Sequence, residues 1–153
     1  MHITRKTMTP ADIAKKLNLE PHPEGGYYRR IYCHETAHDE SRALASSIYY
    51  LLESGAETLW HKTGGDELWL WHAGSPLKLS TSPSDEGPIS TLTLGANVFD
   101  DEHPQLLVKA NHWQSAKVDG DWALVSCVVS PEFTFEGYTL MEKGWSPIKG
   151  PQG

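Results

Sequence analysis

Between Gly55 and Gly74 the chain runs Gly-Ala-Glu-Thr-Leu-Trp-His-Lys-Thr-Gly-Gly-Asp-Glu-Leu-Trp-Leu-Trp-His-Ala-Gly, and this stretch concentrates side chains with chemistry to offer. His61 brings an imidazole whose ordinary pKa, about 6.5, lets it accept or donate a proton around neutrality. Glu67 brings a carboxylate able to orient that ring and stabilise its charged form. If residues 57–62 and 67–72 pair as a hairpin across the Thr63–Asp66 turn, strand alternation places His61, Thr63, Glu67, Trp69 and Trp71 on one wall. The two indoles would floor that wall for a sugar-like or ring compound, and they would serve equally as core filling. Trp60, Leu68, Leu70 and His72 then face a second sheet or a partner subunit. A His–Glu pair buried for structural reasons alone has the same sequence pattern.

Such a wall needs a rigid scaffold, and the rest of the chain predicts one. Thr9 as N-cap, Pro10 at the first helical position, Asp12 in the first turn and Ile13 and Leu17 on one face predict a short helix over about 9–18. From Tyr27 onward, β-branched and aromatic residues come in short runs broken by Gly, Pro, Ser and Asp. They predict strands near 27–33, 45–52, 57–62, 67–72, 76–81, 89–94, 105–109, 113–117, 122–129 and 133–141. With no helices between them these cannot be parallel crossover units, which need about a dozen residues each, so a largely antiparallel sandwich or closed barrel follows. Six Trp and six Tyr supply bulky filling. The Pro- and Gly-containing stretch 143–153 is expected as a loose tail, and 153 residues suit one domain spanning 1–153.

Composition narrows the partners. Acidic residues outnumber basic ones 20 to 13, for a net charge of −7, and the basic residues do not cluster, which argues against nucleic acid. No stretch approaches the roughly 20 apolar residues of a membrane helix, and the N-terminus lacks a secretory apolar region, so a soluble, cytoplasmic protein is expected. Cys33 and Cys127 have no metal-ligand spacing and are expected to be buried thiols. His22, His34, His38, His103 and His112 are expected at the surface.

The stretch also resembles the first cupin motif, G-x5-H-x-H-x3-E-x6-G, at Gly55, His61, Glu67 and Gly74, with Thr63 in place of the second His. Pro104–Gln114 resembles the second motif, P-x-G-x-x-H, with Lys109, Asn111 and Gln114 replacing its Pro, Gly and His. The opening Leu19-Glu-Pro-His-Pro-Glu-Gly-Gly-Tyr-Tyr-Arg29, with Ser47–Leu52 and Val128–Phe133, resembles one branch, the Cupin-5 group, over nearly the whole chain. The resemblance implies an all-β fold, a double-stranded β-helix (jelly-roll barrel) with a short N-terminal helix before a barrel over about 27–141, and a homodimer. Metal-binding cupins use three His and one Glu; the matching set here is His61, Thr63, Glu67 and Gln114, so no tight metal is expected and a weak divalent site would rest on His61, Glu67 and Gln114. Metal-free sugar-nucleotide epimerases of similar fold use a His base and a Tyr acid. That likeness carries over only at His61, as the base of an epimerase or isomerase acting on a carbohydrate-like or carbonyl molecule; Glu67 would orient and charge-stabilise it as a catalytic partner, and Tyr49 or Tyr138 is placed as the acid by position alone. Thr63, Trp69, Trp71 and Gln114 would line the ligand site, with Glu24 and Arg29 at its rim. The alternatives are a barrel that binds or senses a small ligand without turnover and, with fewer of the needed ligands, a metal-dependent oxygenase.

Overall fold

The computed structural model describes residues 8–35 and 42–150. Helix α1 spans Pro10–Lys16: Thr9 Oγ1 accepts the Asp12 N–H at 3.2 Å, Ile13 is buried, and Asn18 stops the helix in the left-handed region at φ 54°. His38 lies outside the described residues. No helix among them is long and apolar enough to cross a membrane.

Two six-stranded sheets, joined by turns and loops, follow the helix. The first orders β1 (Glu20–Pro21), β2 (Tyr27–Cys33), β3 (Ser46–Glu53), β11 (Trp122–Ser130), β5 (Asp66–Gly74) and β9 (Gln105–Val108). The second orders β12 (Thr139–Leu140), β4 (His61–Lys62), β10 (Trp113–Val118), β6 (Leu77–Ser82), β7 (Ser90–Leu94) and β8 (Glu102–His103). Among the described strands every pairing is antiparallel except β7 with β8. Their inner faces bury Tyr50, Leu52, Trp69, Leu77, Leu79, Leu94 and Val125 in one core. Removing a side chain of this size from water stabilises by about 1.5–3 kcal/mol.

Five expectations are corrected. The hairpin of 57–62 with 67–72 does not form: β4 pairs with β10 and β12, β5 with β11 and β9, in different sheets. Its first arm is mostly not strand either, because Thr58 bonds side chain and main chain to Ala116, at 2.8 Å each, while the Leu59 N–H goes to the Glu24 carbonyl at 3.1 Å. The run 133–141 is strand only at Thr139–Leu140, since side chains satisfy the preceding backbone: Arg42 donates to the Glu132 carbonyl, Arg30 to the Phe133 carbonyl, and Ser46 accepts the Phe133 N–H. The stretch from Lys143 is docked rather than loose, with Trp145 8% exposed and its ring 4.6 Å from that of Trp113. Cys127 is buried, whereas Cys33 is only half-buried; both thiols are free.

Candidate functional site

The turn that ends at β2 begins the site. Gly25 and Gly26, at φ 107° and 79°, take a left-handed path that swings Glu24 inward, where it is 5% exposed. The Tyr50 hydroxyl donates to the Gly25 carbonyl and locks the turn onto β3. From the opposite sheet comes His61, 2% exposed, whose Nδ1 lies 2.8 Å from the Leu59 carbonyl. A carbonyl only accepts, so the proton sits on Nδ1 and Nε2 is turned towards Glu24 Oε2, 3.3 Å away. The Tyr138 hydroxyl donates to that same Oε2 at 2.7 Å. Leu59 therefore ties both partners together, its N–H holding the Glu24 backbone and its carbonyl holding the imidazole.

Glu67 enters from β5 and is 7% exposed. Burial pushes its carboxyl up to about 7, against the opposing influence of His61 and of Gln114, whose Nε2 donates to Glu67 Oε2 at 2.6 Å. Gln114 is fixed in turn by Trp69, whose Nε1–H donates to its Oε1 at 2.8 Å. Burial also raises the Tyr138 phenol, with Glu24 beside it adding to the shift, so Tyr138 keeps its proton. Burial lowers the His22 imidazole, which stacks on Tyr50 at 5.2 Å.

These groups border a cavity of about 350 Å³ whose lining includes His22, Glu24, Tyr50, His61, Thr63 and Glu67, closed on one side by Phe133, Thr134 and Phe135. The structure thus brings together five residues singled out in the sequence: His61, Glu67, Thr63 and Glu24 at the cavity, and Tyr138 through its hydroxyl on Glu24. It separates others from the cavity. Tyr49 lies on the other face of β3, its ring edge-on to His72, and the cavity residue is its neighbour Tyr50. Arg29 is exposed, and Arg30 borders the cavity instead. Trp69 is fully buried and Trp71 packs against the core, its Nε1–H on the Ser75 carbonyl, so both fill the interior and neither floors the cavity. Gln114 supports Glu67 from behind. Besides Tyr50 and Arg30, the sequence reading missed His22, expected at the surface but with a side chain 5% exposed, and the direct contact of Glu24 with His61, which joins residues with no spacing signal between them.

The four positions matching a cupin metal set do not fit a metal. Gln114 uses its oxygen for Trp69 and its nitrogen for Glu67, and Thr63 Oγ1 donates to the Gly65 carbonyl at 3.0 Å. Among the described residues no three His, Cys, Asp or Glu side chains form a metal-ligand group.

Two facing, mainly antiparallel sheets around a cavity lined by aromatic and polar side chains define a double-stranded β-helix of the cupin class. The chain belongs to the Cupin-5 family, described as Cupin superfamily (DUF985), whose model matches residues 11–141. A protein of Shewanella oneidensis is similar at 41% identity and TM-score 0.83, with 89% of this chain and 86% of that one covered. A hypothetical protein of Leishmania major is similar at 29% identity and TM-score 0.80, with 88% of each covered. A dTDP sugar isomerase of Desulfovibrio desulfuricans, at 12% identity and TM-score 0.57 over 77% of this chain and 82% of that one, shares the fold. No curated protein matches the chain.

Proposed function

We propose that the cavity binds a small polar molecule, carbohydrate-like or carbonyl-bearing, and that His61 moves a proton on it as the base of an isomerase or epimerase. The supporting observation is the orientation of His61: Nδ1 is engaged with the Leu59 carbonyl, which leaves Nε2, 3.3 Å from Glu24 Oε2, as the nitrogen placed at the cavity to exchange a proton. A proton taken from the carbon beside a carbonyl leaves its bonding pair in an enolate. The imidazolium so formed meets the Glu24 carboxylate at 3.3 Å, and Tyr138, still protonated, is the donor on the same carboxylate. Return of a proton to the same carbon from the opposite face yields the epimer; where that carbon bears a hydroxyl, passage of the hydroxyl proton to the carbonyl oxygen and of the abstracted proton to the former carbonyl carbon yields the isomer.

The test is solvent exchange. Aldoses and ketoses incubated with the protein in D2O should lose the proton next to the carbonyl in the NMR spectrum, and His61→Gln should slow that loss roughly 100-fold or more. A bound carbonyl compound that keeps its proton would point to a binding protein without turnover.

A further inference from the structure

With the cavity taken as the ligand site, its charge and its walls bear on the occupant. Resting on that reading, we propose that the ligand carries a protonated amine, with Glu24 and Glu67 as counter-charges and the surrounding aromatic rings as walls.

Glu24 and Glu67 enter from different elements and are 5% and 7% exposed, so two carboxyl groups share one poorly hydrated space. Glu24 disfavours ionisation of Glu67, and a cation between the two offsets both the repulsion and the lost hydration. Of the described residues that line the cavity, Arg30 alone carries a permanent positive charge, and it is engaged elsewhere. Its Nη2 donates to the Phe133 carbonyl at 2.6 Å and its Nη1 lies 3.8 Å from Glu132. A phosphate or carboxylate ligand would therefore meet two acids, while the one permanent cation is engaged with Phe133 and Glu132 and His61 faces Glu24. The walls point the same way: Tyr28, Tyr50, Phe133 and Phe135 line the space, and aromatic faces attract ammonium groups. Phe133 and Phe135 meet edge to face at 5.0 Å, and both pack against Tyr138, the donor to Glu24.

Protonation links to this preference. Glu67 faces Glu24, His61 from β4, Gln114 from β10 and Cys127 from β11. Burial holds it up at about 7, so an ammonium that stabilises its ionised form should displace a proton on binding.

Three six-carbon probes that differ at one terminus decide the matter: glucamine, sorbitol and gluconate, a cation, a neutral molecule and an anion at pH 8. Calorimetric titration of the full chain should give glucamine at least about tenfold tighter binding than sorbitol, with gluconate the weakest. The glucamine advantage should shrink at pH 5.5, where Glu67 is protonated, and in Glu67→Gln at pH 8. Sorbitol binding as tightly as glucamine, or gluconate binding tightest, overturns the amine preference and leaves a ligand cavity standing. Failure of all three to bind also overturns it, while the D2O exchange reports separately on the chemistry of His61.

Discussion

Glu67 is the residue whose titration is easiest to isolate. Its carboxyl ionises near 4.5 when solvated and at about 7 in the folded chain, because burial penalises the charged form. Between those values the unfolded chain has released the proton and the folded chain still holds it, so stability falls as pH rises through the window and levels off above it. The gap is worth roughly 3 kcal/mol. Glu67→Gln keeps an acceptor for Gln114 and removes the titration. Urea melts should find it about as stable as the native chain at pH 4.5 and more stable by on the order of 2–3 kcal/mol at pH 8. At this scale the sequence was informative about residue types but not about partners. The motif spacing picked out His61, Glu67 and Gln114, but not the contact of His61 with Glu24 or that of Glu24 with Tyr138, whose partners lie far apart in the chain. Alternation within β2 and β3 is a matter of register, and a one-residue difference exchanged Tyr49 for Tyr50 and Arg29 for Arg30.

At the scale of elements, the turn carrying Glu24 depends on Gly26. A Cβ there would lie 2.7 Å from the Leu51 carbonyl oxygen, against the Tyr50 ring, at φ 79°. Gly26→Ala should cost on the order of 3 kcal/mol and lower the melting temperature by roughly 10 °C in a calorimetric scan, because neither the backbone of β3 nor the φ angle can give way. The segment 131–138 is the counterpart across the cavity. Its hydrogen bonds go to Arg30, Arg42, Ser46 and Ala43, so no ladder organises it, and a pattern of aromatic residues that reads as strand becomes a strap. Most strand positions follow from alternation and punctuation, as β2, β3, β6, β10 and β11 do. The pairing of β4 with β10 and β12 does not, because it joins residues about 50 and 80 apart in sequence with no local signal.

Across the whole molecule, the outer face of the first sheet carries the sequence-based expectation of a dimer. Leu68 and Leu107 sit opposite each other on β5 and β9 and are 37% and 54% exposed. Trp60, expected on that face, leads into the other sheet. We propose that two copies meet on the Leu68–Leu107 face. Light scattering should give a mass near twice the chain's 17.1 kDa, and Leu68→Lys with Leu107→Lys should return it to one. The sequence by itself determined the class of fold, since periodicity, turn residues and motif spacing are local properties that survive without coordinates. It also determined that two of the four cupin metal positions, Thr63 and Gln114, are not imidazoles, because those identities stand in the chain as written. Only the tertiary structure decided which groups face one another: the two arms of the expected hairpin went to opposite sheets, Trp69 and Trp71 went to the core, and Glu24 came to His61. The physical reason is that strand partners are chosen by burial and hydrogen bonding summed over the whole barrel, a sum to which no single segment of sequence has access.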